Sequence, residues 1–361
     1  MYLVQANLRG IAPFGDIEVP FRNAEGEPRL MTVVYGGAGV GKTSLLSAIA
    51  NTRPGHAATT PSIRPAQGST VPPHVWCDWV LGDDDPDRPH PLRVASPHAP
   101  IDAADDTASL RRREQALFDR RARSGGFVCL AFPGTRWFSR HPVTLHAPLR
   151  SVVRYDARAT TPLEDANRFD LTRETKQALA YAAISAALSP SNQRERAAAK
   201  SRTSVWRDTR LLGTAMRETT NAFVKPAGYQ YDGLDAVSFE PLFSTEGGRS
   251  VPFDGLPNRV RHLVAFAAIT VRTLWAAYPE ADPRTAQGVV VIDDVELRHD
   301  GEVMGQLVST LRHALPRVQW ILGTASAEFA AACDTQDVLA LRRFPQSDRV
   351  QLFSGAQAQT H

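Results

Sequence analysis

The chain has few cysteines and no long apolar run. Its three cysteines, Cys77, Cys129 and Cys333, are widely spaced, which argues against a disulfide framework and against a cysteine-rich zinc site. Apolar runs such as 178–188 and 263–271 are well short of the roughly 20 residues that a membrane helix needs. The first residues also lack the pattern of a secretory signal. We therefore expect a cytoplasmic protein with no membrane partner.

Lysine is also scarce, although the chain is not short of charge. The 361 residues include 41 basic and 38 acidic side chains, and only four of the basic ones are lysines. The net charge of +3 is too small by itself to indicate a nucleic-acid-binding protein. Hydrophobic residues make up 43% and charged residues 22%, which predicts a folded chain of one large or two modest domains.

One of the four lysines, Lys42, lies in a complete Walker A pattern. The pattern Gly-x-x-x-x-Gly-Lys-Thr follows a β-branched apolar run and precedes a run with apolar residues at helical spacing. Such a strand, glycine-rich loop and helix bind phosphate with backbone N–H groups. We expect Lys42 to bind the β- and γ-phosphates and Thr43 to bind Mg²⁺. The predicted nucleotide-binding residues are Gly36, Gly37, Ala38, Gly39, Val40, Gly41, Lys42, Thr43 and Ser44.

A second acidic motif follows a short apolar run near residue 290. The sequence from Gly288 reads GVVVIDDVE, which is typical of a buried strand ending in Walker B carboxylates. We expect Asp293 to bind Mg²⁺ together with Thr43, as the acidic partner of a P-loop does. Asp294 is the predicted base that activates water, and Glu296 is a nearby alternative. No Asn-Lys-x-Asp motif is present, so adenine is preferred over guanine, and the predicted cofactors are ATP and Mg²⁺.

About 250 residues separate the two motifs, too many for a compact kinase or a small GTPase. This spacing suits a P-loop head of the ABC/SMC type, in which an antiparallel β layer and a helical region lie between the motifs. Apolar and polar residues alternate over 1–22 and again over 75–95, which predicts hairpins. Residues 174–220 are helical by composition. We expect a strand over Tyr229–Phe243 and a strongly apolar helix over Val260–Tyr278. Arginine-rich stretches at 109–123 and 191–210 favour either a solvated surface or a contact with DNA or an acidic partner.

Several segments, in order, resemble bacterial ABC/SMC-like ATPases related to RecF and to the OLD ATPases. The most similar branch contains stand-alone ATPases of defence loci such as Septu systems and certain retrons. The matching segments cover essentially the whole chain: Leu3–Phe21 with its Arg9-Gly10 pair, Ala131–Arg136, Leu256–Leu263, Gly288–Asp300 and Leu315–Ser326.

The resemblance implies an α/β fold with a mostly parallel core sheet, an antiparallel β layer and an inserted helical subdomain. It implies one head over 1–361, with an N-terminal lobe (1–150), an insertion (151–250) and a C-terminal lobe (251–361). It also implies a homodimer or higher oligomer of heads around ATP. The residue roles it implies are nucleotide contacts for Arg9 and Arg136, a signature contacting the opposite head at Pro257, Asn258 and Arg259, and a γ-phosphate switch at Ala325.

The chain departs from this family at the residues that carry out hydrolysis. The signature serine and glycine are replaced by Pro257 and Arg259, the catalytic glutamate by Asp294 and the switch histidine by Ala325. We therefore expect ATP binding with slow or partner-dependent hydrolysis. ATP-driven dimerisation is expected to control a separate effector or a DNA-processing partner, with antiviral defence as the expected setting. Few residues follow Arg343, so we expect any nuclease to be another protein. The alternatives are a nucleotide-gated scaffold without turnover and a RecF-like clamp on DNA in repair.

Overall fold

The fold is described from a computed structural model of the chain. The described residues are 1–54, 56–57, 64–80, 91–97, 99, 128–145, 170–189, 209–278, 281–297, 301–344 and 349–359. The arginine-rich segment 109–123 and most of the segment 191–210 lie outside them.

The elements of the described residues are numbered in chain order. The strands are β1 (Tyr2–Ile11), β2 (Gly15–Pro20), β3 (Met31–Tyr35), β4 (Thr52–Arg53), β5 (His56–Ala57), β6 (His74–Val80), β7 (Leu92–Ala95), β8 (Cys129–Phe132), β9 (Tyr229–Leu234), β10 (Pro241–Thr245), β11 (Ser250–Pro252), β12 (Gly288–Ile292), β13 (Val318–Thr324), β14 (Val338–Arg343) and β15 (Val350–Ser354). The α-helices are α1 (Lys42–Asn51), α2 (Thr172–Ala187), α3 (Thr209–Val224), α4 (Asn258–Ala277), α5 (Gly301–Ala314), α6 (Ala327–Ala332) and α7 (Ala356–Gln359).

A six-stranded sheet in the order β15-β14-β3-β13-β12-β8 forms the centre of the molecule. All of its neighbouring pairs are parallel except β14 and β15. Strand β12 is buried at every position, as its continuous apolar run requires, because both faces of a parallel sheet are covered. Val289 and Val291 contribute to the hydrophobic cluster on one face, and Val290 and Ile292 contribute to the cluster on the other.

An antiparallel sheet in the order β2-β1-β6-β7 covers one face together with α1. The predicted hairpins are confirmed, since β1 pairs with β2 and β6 pairs with β7 in antiparallel register. The buried amide of Gln319 links this layer to β13, because it accepts from the Leu3 N–H at 2.8 Å and donates to the Leu3 carbonyl at 2.9 Å. This contact joins the amino-terminal end of β13 to the start of β1.

The other face of the central sheet is covered by helices. Helices α2, α3, α4 and α5 contribute to one continuous apolar cluster with that face. By length and composition, helix α4 is long and apolar enough to cross a membrane. The sequence prediction that no apolar segment has this length is therefore wrong for α4. However, 83% of its most apolar window is buried in the protein. Such burial is characteristic of a central core helix.

The predicted fold class is confirmed: a parallel-dominated sheet is combined with antiparallel sheets and helices. Two predicted element boundaries are wrong. The interval Tyr229–Phe243, predicted as one strand, is two antiparallel strands, β9 and β10. The turn between them contains Phe239 at φ 57°, a left-handed conformation that sequence periodicity does not reveal for a phenylalanine. Helix α4 begins at Asn258, two residues before the predicted start at Val260.

Candidate functional site

The glycine-rich loop connects β3 to α1 at the carboxyl end of the central sheet, and the predicted strand, loop and helix are confirmed. Gly41 precedes the helix at φ 94°, a conformation that favours glycine. A Cβ atom at Gly41 would lie 2.6 Å from the Phe14 ring and 2.8 Å from Pro13. Close packing against the turn between β1 and β2 therefore requires glycine at this position. The first N–H groups of α1, which have no partner within the helix, then face the loop.

Lys42 folds back over this loop. Its Nζ donates to the carbonyl oxygens of Gly36 at 2.8 Å and Gly37 at 3.0 Å, and the residue is only 7% exposed. The ammonium group and the backbone N–H groups at the start of α1 together form a positively polarised site. Such a site favours the oxygens of a polyphosphate.

Asp293 meets this site from the end of β12. The Thr43 hydroxyl donates to Asp293 Oδ2 at 2.7 Å, and Asp293 is 2% exposed. Burial raises the pKa of the Asp293 carboxyl above its usual value, and the nearby Asp294 carboxylate raises it further, whereas the hydrogen bond from Thr43 lowers it. A hydroxyl and a buried carboxylate at this separation are hard oxygen ligands suited to Mg²⁺. The residues present therefore fit that ion.

The residues after Asp293 form a turn over the end of β13. Leu297 N–H donates to the Asp294 carbonyl at 3.0 Å, and Val295 N–H donates to the Gly323 carbonyl at 2.9 Å. Asp294 adopts φ 45°. Its carboxylate lies against Gly134, where an added Cβ would be 2.6 Å from Asp294 Oδ2. The carboxylates of the two predicted candidate bases therefore point in different directions. Glu296 extends to the end of β13, where its Oε1 accepts a hydrogen bond from the Ala325 N–H at 2.7 Å.

Arg136 lies directly behind the acidic residues. It is 3% exposed and donates to the backbone carbonyls of Pro133 at 2.9 Å, Asp293 at 2.6 Å and Asp294 at 2.8 Å. Its guanidinium carbon is 5.2 Å from the centre of the Phe266 ring. Burial lowers the pKa of Arg136 to about 10, partly offset by the nearby carboxylates. Its described hydrogen bonds orient the Walker B backbone, and a direct nucleotide contact would require the guanidinium to leave these carbonyls.

The remaining predicted residues lie around this centre. Pro257 caps α4, so Pro257, Asn258 and Arg259 form the N-terminal end of that helix. Ala325 follows the last residue of β13. Arg9 is on β1, where it pairs with Asp16 at 3.8 Å and lies 5.5 Å from the centre of the Trp76 ring. Pro13 and Phe14 of this hairpin lie against the loop at Gly41.

Sequence reasoning missed three residues at the site. A Cβ at Gly323 would lie 3.0 Å from Asp293 Oδ1 and 2.8 Å from Leu46, so this glycine allows β13 to pass close to the acidic residue. Gly134 provides the same space for Asp294. Arg343 Nη2 donates to the Gly39 carbonyl at 3.2 Å from the end of β14. None of them carries a local sequence signal, since each is defined by a neighbour on another strand.

Comparison with solved structures places this geometry in a known fold. An Smc head bound to the C-terminal winged-helix domain of ScpA matches 98% of this chain and 97% of its own length, with 11% identity and a TM-score of 0.53. A Pyrococcus furiosus Smc head with an extended coiled coil, bound to the C-terminal domain of ScpA, matches 98% of this chain and 96% of its own, with 13% identity and a TM-score of 0.51. The chain has the fold of an SMC head. No protein-family profile and no curated protein sequence matches it.

The SMC-head fold accounts for the long interval between the two Walker motifs. In this chain the antiparallel layer and helices α2, α3 and α4 all precede β12. The parallel pairing of β3, β13 and β12 then returns the acidic residues to the glycine-rich loop. The closer relationship to RecF, OLD and defence-system ATPases stays a prediction, because likeness at this level of identity establishes only the fold.

Proposed function

We propose that this chain is an ATP-binding, Mg²⁺-dependent ATPase of the ABC/SMC type. The observation that carries the proposal is the contact between Thr43 and Asp293 at the N-terminus of α1. It joins the metal-binding positions of Walker A and Walker B beside the Lys42 ammonium group. Mg²⁺ at these oxygens would neutralise charge on the β- and γ-phosphates. The chain's own residues hold the phosphates, position the acidic turn through Arg136 and cover the loop with Pro13 and Phe14.

The test is calorimetric titration of the full chain with MgATP, MgGTP and magnesium tripolyphosphate, followed by measurement of phosphate release. We expect MgATP binding that EDTA abolishes, because Thr43 and Asp293 act through the ion. Molecular mass by light scattering should rise on addition of MgATP, since we propose that two heads close around nucleotide. A chain that binds none of the three ligands would rule out the proposal.

A second function, a nucleotide-gated scaffold, is favoured by Ala325. This residue has no side-chain donor at the position where the family resemblance implies a γ-phosphate-sensing histidine. ATP would then stabilise the closed heads without being cleaved. Retention of intact ATP after prolonged incubation, with no phosphate released, distinguishes the scaffold from the ATPase.

The biological role is proposed from the resemblance and from the fold. We propose that closure of the heads controls a separate effector, with antiviral defence as the first setting to test and a RecF-like role on DNA as the alternative. Two solved SMC heads of this fold are bound to ScpA domains, which supports a partner protein for this head too. A DNA-clamp role predicts ATP-dependent duplex binding that weakens steeply with salt, because phosphate neutralisation releases counterions.

Replacing Asp293 by asparagine should separate stability from function. The carboxylate is buried and its pKa is raised, so its ionised form is less favourable in the folded protein than in the unfolded chain. We expect Asp293→Asn to increase the free energy of unfolding of the ligand-free protein by about 1 kcal/mol, as removal of a strained functional group often does. The same change should weaken MgATP binding about 10-fold or more, since the amide is a poorer ligand for the ion.

Urea unfolding and calorimetric titration measure these two effects. Glu25→Gln is the matched control, because it replaces an exposed carboxylate by an amide in the turn after β2. It should change neither quantity. An Asp293→Asn variant that binds MgATP as tightly as the wild type would contradict the assigned metal role.

A further inference from the structure

Glu296 connects the Walker B turn to the end of β13. Its Oε1 accepts a hydrogen bond from the Ala325 N–H at 2.7 Å. The preceding residue, Val295, donates to Gly323 on the same strand. Backbone on both sides of the contact is therefore fixed, and the carboxylate is held at the switch position itself.

The second oxygen of this carboxylate has a different environment. Glu296 Oε2 is buried and has no hydrogen-bond partner among the described residues. A carboxylate oxygen is a strong acceptor, and a buried acceptor without a donor is costly in a folded protein. The contact at Ala325 is next to the strand end that meets the phosphate loop, because the Gly36 N–H donates to the Thr324 carbonyl at 3.1 Å. The carboxylate of Glu296 is therefore held at the side of the phosphate loop.

Asp294 is less suited than Glu296 to deprotonate a water molecule that attacks the γ-phosphate. Its left-handed backbone directs the carboxylate against Gly134, on the β8 side of the turn. Arg136 also fixes the Asp294 carbonyl at 2.8 Å. To act at the loop, the carboxylate would have to leave its place beside Gly134 while Arg136 holds the Asp294 backbone.

We propose that Glu296, and not Asp294, is the catalytic residue that orients and deprotonates the attacking water. This inference rests on the proposed ATPase function. The Ala325 N–H holds Oε1, which leaves Oε2 to accept a hydrogen bond from water. The water oxygen forms a bond to the γ-phosphorus as the bond from that phosphorus to the bridging oxygen breaks. The electron pair of that bond leaves with ADP, while Oε2 takes the proton from water and returns it to the phosphate product.

In this arrangement one side chain replaces two groups of the related ATPases. The ATPases that the sequence resembles have a glutamate after the Walker B aspartate and a switch histidine, where this chain has Asp294 and Ala325. Glu296 reaches the switch position from the Walker B turn and so supplies a carboxylate where the histidine side chain is missing. General-base catalysis of this kind contributes about 10²- to 10⁴-fold to a rate.

The experiment compares full-length Glu296→Gln, Asp294→Asn and the control Glu25→Gln. Single-turnover cleavage of ATP by excess protein is measured together with the equilibrium affinity for MgATP and the thermal melting curve. Glutamine retains an oxygen that can accept from Ala325 N–H, so the fold should be preserved. We expect Glu296→Gln to slow cleavage about 100-fold or more, to bind MgATP within threefold of wild type and to keep ATP bound. Asp294→Asn should slow cleavage less than tenfold.

Each other outcome overturns the proposal. A large loss for Asp294→Asn with little loss for Glu296→Gln returns the catalytic role to Asp294. Loss of MgATP affinity or of thermal stability in Glu296→Gln would show that Glu296 has a structural role instead of a catalytic one. Wild-type protein that binds MgATP but does not cleave it refutes catalysis by Glu296 while leaving the ATP-binding function intact. Wild-type protein that binds no MgATP refutes the ATP-binding function and the catalytic role together.

Discussion

Replacing Lys42 by alanine should weaken MgATP binding by about 30-fold to several thousand-fold, the largest effect on nucleotide affinity expected of any single change at this site. The substitution removes a mostly buried ammonium group that lies over the phosphate loop. Removing one partner of a buried, hydrogen-bonded charge pair costs about 2–5 kcal/mol, and about 1.4 kcal/mol corresponds to a factor of ten in affinity. Titration calorimetry with MgATP measures the loss directly.

The fold should tolerate this change. Among the described residues, the hydrogen-bond partners of Nζ are the carbonyls of Gly36 and Gly37, and water can replace it at a loop on the protein surface. We expect a change of less than about 1 kcal/mol in the free energy of unfolding, as for loss of an ordinary hydrogen bond. Lys225→Ala is the control, because this lysine is exposed in the short 3-10 helix Lys225–Ala227. If folded Lys42→Ala bound MgATP like the wild type, the nucleotide would not occupy this loop.

Replacing Lys176 by methionine should cause the largest loss of stability. Lys176 is 1% exposed on α2, and its Nζ lies 2.8 Å from carboxylate oxygens of both Glu240 and Asp254. It also donates to the His141 carbonyl at 2.8 Å. Burial raises the pKa of Glu240 despite the lysine. Loss of the ammonium group leaves two carboxylates close together in a partly buried site.

We expect Lys176→Met to lower the free energy of unfolding by about 3 kcal/mol, the lower end of the range for breaking a buried ion pair. The lower end applies because Glu240 and Asp254 keep some contact with water, their side chains being 17% and 30% exposed. Urea unfolding measures the change, and the exposed Lys225→Met is the matched control.

A triple variant provides a second check on this explanation. Adding Glu240→Gln and Asp254→Asn to Lys176→Met removes the unpaired charges. Much of the lost stability should return, since replacing a whole buried ion cluster is often nearly neutral. A single variant as stable as the wild type, or a triple variant no more stable than the single one, would show that the cluster does not stabilise the fold electrostatically.

The cluster also has a position relevant to function. Asp254 belongs to the short 3-10 helix Phe253–Gly255, which leads through Leu256 and Pro257 into α4. Lys176 therefore connects α2 to the segment that carries the predicted signature residues. Through this contact the helical layer and the N-terminus of α4 are fixed relative to each other.

The sequence was informative wherever a structure depends on consecutive residues. Strand β3, the glycine-rich loop and helix α1 follow from a β-branched run, glycines with special backbone conformations and apolar residues at helical spacing. The buried strand β12 and its terminal carboxylates were predicted for the same reason. The predictions were weaker where the chain turns, as between β9 and β10, because Phe239 adopts a conformation that its residue type does not favour.

Only the tertiary structure decided how the separate motifs combine. Thr43 meets Asp293 because the strand order places β13 alone between β3 and β12. Arg136 binds the Walker B backbone, and Glu296 rather than Asp294 reaches Ala325. These contacts join residues from different strands and depend on side-chain direction at a turn. The sequence alone therefore determined the chemical groups of the site and the local elements that carry them, whereas their distances and directions depend on strand order and packing, which no local pattern encodes.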